Sequence, residues 1–104
     1  MEKNKHIAVR QEYNKKIFND LKRQNFFEKF IPDETSKDVY DIIEEKMFTY
    51  PDLRFGQILC NMFPQYQDRS EHAINQIFDI LFYGCKCDPF YEEPNETCIR
   101  LNIL

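Results

Sequence analysis

The sequence predicts an all-α fold: a compact bundle of four main helices with one or two short helical segments at the C-terminal end. Three observations carry that expectation. Glycine occurs only twice, at Gly56 and Gly84, which leaves no Asn-Gly hairpin turn, no Gly-rich phosphate loop and no dinucleotide-binding fingerprint. Apolar residues recur at helical rather than alternating spacing through most of the chain. The 104 residues make one domain of ordinary size, 42% hydrophobic, with ten Phe, six Tyr and no Trp. A single core built largely of Phe rings is the expected product.

From His6 to Gln24, the residues Val9, Tyr13, Ile17 and Leu21 repeat at helical spacing with Phe18 beside them, a narrow apolar stripe on an otherwise charged helix. Asn25 to Ile31 is an aromatic knot of Phe26, Phe27 and Phe30, ended by Pro32. The polar connection Asp33–Lys37 offers Thr35 or Ser36 as the cap of a second helix, traced by Val39, Ile42, Ile43, Met47 and Tyr50, with Asp38 favourable to its dipole. Asp52 is expected to cap the third helix after Pro51, and Pro64 to end it. Beyond the loop Pro64–Gln67, the spacing Asp68-Arg69-Ser70-Glu71 resembles a capping box, with Ser70 as the alternative cap. Ile74, Ile77, Phe78, Leu81 and Phe82 then trace a core helix that Gly84 closes in a left-handed conformation. After Cys85-Lys86-Cys87, Asp88-Pro89 reads as cap and first position of a short turn through Tyr91, and Pro94 opens a last helix carrying Cys98, Ile99, Leu101 and Leu104.

The third helix organises the rest. Leu53, Phe55, Ile58, Leu59, Met62 and Phe63 form a broad apolar side, Arg54, Gln57 and Asn61 gather on a second side, and Gly56 and Cys60 on a third. The polar strip can serve as a hydrogen-bonding surface for a partner. It can also be an internal clasp, in which Arg54 grips Asp88 or Glu92 of the tail through parallel bonds. The clasp is the reading taken forward, because the acidic, aromatic tail is the one complement the chain offers that strip.

Charge is unevenly spread within a net −4. Residues 1–31 carry eight Lys/Arg against four Asp/Glu, and residues 32–104 carry six against fourteen. The chain is therefore expected to be one domain, 1–104, in which a basic N-terminal helical arm packs on an acidic body. A basic arm on an acidic body suits a protein partner, a second copy of the chain, or nucleic acid. The protein surface would centre on Lys15, Lys16, Lys22 and Arg23; the nucleic-acid reading adds Lys3, Lys5 and Arg10 and demands steep salt dependence. Because Glu2, Glu12, Asp20 and Glu28 are interleaved with these cations, the helix also reads as a solvated face. No stretch approaches the ~20 apolar residues that span a bilayer, and the first residues lead into no signal-peptide core. A cytoplasmic protein is expected, with its four Cys as reduced thiols.

Chemistry-bearing clusters are sparse. Cys85-x-Cys87 could join Cys60, Cys98, His72 or His6 around zinc, but the pair has a single-residue gap where structural zinc sites use two to four. The pair also lacks the spacing and the strand-to-helix setting of a redox motif. His6 and His72 pair with no nucleophile by spacing, and Glu44-Glu45 and Glu92-Glu93 read as solvated faces rather than acid–base pairs. No catalytic residue, metal or cofactor is expected; a metal enzyme would need clustered carboxylates around a divalent ion.

The run Pro51-Asp52-Leu53-Arg54-Phe55-Gly56-Gln57-Ile58-Leu59-x-Asn61, with the later Asp88-Pro89-Phe90-Tyr91-Glu92-Glu93, resembles a pattern in small bacterial and phage proteins that carry no assigned activity. The resemblance covers about half the chain, from the end of the second helix to the tail. It implies a shared fold and a link between the Arg/Gln helix and the acidic tail, hence the clasp. The functional expectation is a non-enzymatic protein of a bacterium or mobile element that binds another protein, with inhibition of a host defence protein as the phage version. Nucleic-acid binding through the first helix is the alternative.

Overall fold

The computed structural model describes residues 2–62 and 67–103. Among them are five α-helices and no strand: α1 (Glu2–Arg23), α2 (Asp33–Thr49), α3 (Phe55–Met62), α4 (Gln67–Leu81) and α5 (Pro94–Arg100). Short 3-10 turns occupy Phe27–Lys29 and Pro89–Tyr91. This is the all-α bundle expected, with α5 and the second 3-10 turn as its short C-terminal segments. Expectations placed on Phe63, the Pro64–Tyr66 loop, Leu104 and the side chains of Lys3, Lys5, His6 and Asp68–Glu71 lie outside the described residues.

The short helix α3 sits at the centre. Phe55, Ile58, Leu59 and Met62 are all but sealed from solvent, and α3 packs against both α2 and the Pro89–Tyr91 turn. Around it close Ile17, Phe18 and Leu21 of α1, Val39, Tyr40 and Ile43 of α2, and Ile74, Ile77 and Leu81 of α4. The N-terminal helix is thus part of the same core, and it packs against α5 more extensively than against α2. Gly56 permits the contact with the turn: a Cβ there would lie 2.1 Å from the Pro89 carbonyl oxygen.

The aromatic knot folds as a 3-10 turn after Asn25 takes a left-handed φ of 52°. The rings of Phe26 and Phe27 meet edge to face at 5.3 Å, and Tyr40 of α2 meets Phe27 at 5.2 Å. The Tyr40 hydroxyl accepts from the Phe27 N–H and donates to the Leu21 carbonyl. Burial pushes its pKa up to about 12. One phenol therefore stitches the end of α1 to the start of the turn, which fixes α1 and α2 as a hairpin.

Three helix starts differ from expectation. α4 begins at Gln67, so that Asp68 and Ser70, the expected caps, fall within the helix. α2 begins at Asp33 with Pro32 at the cap position and no side-chain cap, while Ser36 is buried and its hydroxyl donates to the Ile31 carbonyl. Asp33 and Glu34 in the first turn complement the helix dipole. α3 begins at Phe55, not after Asp52. Arg54 takes the capping role: its carbonyl accepts from Ile58, and the Gln57 side-chain oxygen accepts from the Arg54 N–H at 2.8 Å. That is half of a capping box, in which the third helical residue reaches back to satisfy the cap's own donor. At the tail the expectations match: Gly84 has φ 81°, Asp88 accepts from the Phe90 N–H, and Pro94 opens α5.

Candidate functional site

Three chain segments converge on Glu93. Arg10 of α1 donates through Nε to Glu93 Oε1 at 2.9 Å and through Nη2 to Oε2 at 3.1 Å, a parallel pair. Arg54, just before α3, donates through Nε to Oε2 at 2.6 Å. The third Arg10 nitrogen, Nη1, donates to the Asp52 carbonyl at 2.8 Å, and Asn14 donates to the Leu53 carbonyl at 2.8 Å. One carboxylate thus holds two guanidiniums, and α1 holds the loop that leads into α3. Burial alone would raise the Glu93 pKa, but hydrogen bonds and charge from Arg10 and Arg54 bring it below the ordinary value.

A second clasp lies one residue away. Glu92, 5% exposed, accepts from Arg100 Nε and Nη2 at 2.9 and 2.8 Å and from the Thr97 hydroxyl at 2.6 Å. Arg100 also donates to the Tyr83 carbonyl and lies over the Phe82 ring. Here too burial opposes ionisation, and the bonds from Arg100 and Thr97 outweigh it, so the Glu92 pKa falls. The Arg100 pKa rises, chiefly through its bonds to Glu92.

The predicted strip is therefore divided. Arg54 does tie to the acidic tail, but to Glu93 rather than to Asp88 or Glu92. Asp88 is occupied in capping its own turn, and Glu92 belongs to Arg100. Gln57 serves the start of α3, and Asn61 is exposed and takes no part. In the extended segment before Pro94, neighbouring side chains leave on opposite sides of the backbone, which sends Glu92 and Glu93 to different arginines. Arg10 and Asn14 were missed as members of this site. Their signal was present: Arg10, Asn14, Ile17 and Leu21 share the i, i+4, i+7, i+11 spacing of one helical face, so Arg10 sits on the buried side of α1 and not among the basic residues of its solvent side.

Of the four cations proposed as a partner surface, three are engaged within the chain. Lys16 pairs with Glu12 at 3.8 Å and Arg23 with Asp20. Lys22 lies over the Phe18 ring. Lys15 lines a groove of about 810 Å³ between α1 and α2, together with Gln11, Glu12, Asp41, Glu44, Glu45, Met47 and Phe48. Met47 packs against the core, whereas Phe48 is 87% exposed.

The thiols are spread. Cys98 is buried, its pKa pushed up to about 11, and Cys60 is half-buried with its pKa also raised by burial. Cys85 and Cys87 have Sγ atoms 3.9 Å apart. Among the described residues, no three His, Cys, Asp or Glu side chains converge in a way that could hold a metal ion, and no helix is long and apolar enough to cross a membrane.

The clasps give an acid-sensitivity prediction. Both carboxylates titrate below the ordinary 4.5 in the folded chain, so their contribution to stability is complete above that pH. It is lost as the pH falls below it, when protons must be forced onto groups that the arginines keep ionised. The urea midpoint of the wild type is expected to fall steeply below pH 4.5, and Glu93→Gln to flatten part of that fall while lowering the plateau at neutral pH. A variant profile parallel to the wild type would contradict this assignment.

No family model, no curated protein and no solved structure matches this chain.

Proposed function

We propose that this chain acts by binding another protein, rather than by catalysis, through the face that α1 and α2 share. The observation that carries this reading is Phe48. Its ring stands 87% exposed at the edge of the α1–α2 groove, on a helix that is otherwise anchored by Val39, Tyr40 and Ile43. A ring left in water adds nothing to the fold, whereas covering it on association contributes roughly 1.5–3 kcal/mol. Aromatic residues that fill a partner's pocket are the usual energetic centres of interfaces. Tyr50, 51% exposed in the same stretch, extends the apolar surface.

The clasps support this reading indirectly. Arg10, Arg54, Glu92, Glu93 and Arg100 spend their charges on one another, which leaves them to hold the scaffold and leaves recognition to the outer face. The engagement of Lys16, Lys22 and Arg23 weighs against nucleic acid, since each phosphate contact there would have to displace a carboxylate or an aromatic contact; Lys15 stands among the carboxylates of the groove. Phe48→Ser is expected to leave the thermal midpoint within about 3 °C of wild type, as surface substitutions do. The same variant should lose the protein that co-purifies with the wild type and rebinds it as a purified component. Undiminished binding by Phe48→Ser, or binding of random duplex DNA that fades with added salt, would overturn the proposal.

A further inference from the structure

We infer that the α1–α2 groove receives a basic amphipathic helix of the partner protein, its apolar edge on Met47 and Phe48 and its Lys/Arg flank against the groove's carboxylates. This rests on the protein-binding reading above and names the chemistry of what binds. Asp41, Glu44, Glu45 and Phe48 follow the i, i+3, i+4, i+7 pattern on α2, so they make a continuous ridge about 10 Å long along one flank of that helix. Gln11, Glu12 and Lys15 form the opposite wall on α1, and Met47 lies between. Of the charged groups lining the groove, Glu12, Asp41, Glu44 and Glu45 are negative and only Lys15 is positive. Lys16 is turned to Glu12 at 3.8 Å and exposed; Lys46, on α2, lies over the Tyr50 ring. An apolar floor with acidic walls is complementary to a helix with an apolar edge and cationic flanks.

Geometry favours a helix over an extended strand. Two packed helices leave a furrow into which the ridge of a third can settle at the usual 8–10 Å separation, and the described residues contain no strand whose edge an extended peptide could join. Phosphate-bearing partners are disfavoured by the same four carboxylates. A second copy of this chain is the competing occupant, since its own first helix is Lys-rich.

A test uses the 104-residue chain and a fluorescein-labelled peptide of about fourteen residues, roughly four helical turns, with Leu on one face and Lys on the others. Controls are a shuffled peptide that spreads the Leu around the helix, and a version with Glu in place of Lys. Fluorescence anisotropy is expected to show binding of the Leu/Lys helix only, weakening about tenfold or more between about 0.05 M and about 0.5 M salt. Phe48→Ser, and separately Glu44→Lys with Glu45→Lys, should each weaken it about tenfold, an amount typical of losing one interface anchor. Asp79→Lys, exposed on α4, should leave it unchanged. Circular dichroism and thermal unfolding confirm that each variant remains folded.

Equal binding of the shuffled peptide, equal weakening by Asp79→Lys, or no binding of the Leu/Lys helix would overturn the inference. So would a dimer of the chain alone in sedimentation that Phe48→Ser dissociates, because the groove would then belong to a second copy. If the Leu/Lys helix fails while the co-purifying protein still depends on Phe48, the partner is a protein of other chemistry. If that protein binds Phe48→Ser undiminished, the protein-binding reading fails as well.

Discussion

Gly56→Ala is expected to destabilise the fold by about 2–3 kcal/mol, lowering the thermal midpoint by roughly 8–20 °C for a domain of this size. In most helices the exchange would stabilise, because alanine has the higher helix propensity by up to about 1 kcal/mol. Here the added methyl would lie 2.1 Å from the Pro89 carbonyl oxygen and 2.9 Å from its carbon. These are backbone atoms, held by a turn that Asp88 caps and that packs directly on α3. They cannot rotate aside as a side-chain tip would. Either α3 or the Pro89–Tyr91 turn must withdraw, and withdrawal opens the core where Phe82 also touches the site. Differential scanning calorimetry of the wild type and the variant decides the matter. A midpoint unchanged or raised would show that the turn does not press on α3.

Glu92→Met is expected to cost about 3 kcal/mol, and Arg100→Met a similar amount, because each leaves a largely buried charged partner without its counter-ion. The side chains are only 6% and 15% exposed, and three bonds to Glu92 are lost in the first variant. The double variant is expected to lose much less than the sum, since two apolar side chains of similar volume can pack where the ion pair stood and leave no buried charge uncompensated. Urea unfolding of all four chains at neutral pH measures the coupling. Simple additivity would mean that Glu92 and Arg100 contribute separately, Arg100 through Tyr83 and Phe82 and Glu92 through Thr97.

The helices were legible because their signal is local. Ile74, Ile77 and Leu81, or Val39 and Ile43, announce a buried face by spacing alone, and each of them is buried. What was not legible depends on residues far apart in sequence. Asp52 has the chemistry of a helix cap, yet its segment is held in a non-helical path by Arg10 and Asn14, which reach it across 42 and 39 residues. Once that path is fixed, Gln57 completes the start of α3 three residues later. The tail shows the same limit at finer scale. Arg54 was matched to the right segment but to the wrong carboxylate, since Glu92 and Glu93 are equivalent acids by composition and differ only in the side of the backbone from which they leave. Arg10 was misassigned for the opposite reason. Its charge drew attention, while its place on the face of Asn14 and Ile17 indicated where it points.

The bond from Arg10 to Glu93 spans 83 residues, and this has a consequence for the order in which the molecule is made. A chain leaving the ribosome exposes α1 and α2 before α5, and the α1–α2 hairpin can close early through Tyr40. The inner face of α1, however, lacks Glu93 for Arg10 and the packing of Cys98 until those residues emerge. Closing so long a loop costs more entropy than a local turn, though the cost grows only logarithmically with length. Completion of the fold therefore waits on the emergence of Glu93 and Cys98. A nascent chain arrested before Glu93 should remain open to protease at the Asp52–Arg54 loop, and a released chain that carries residues 1–104 should not.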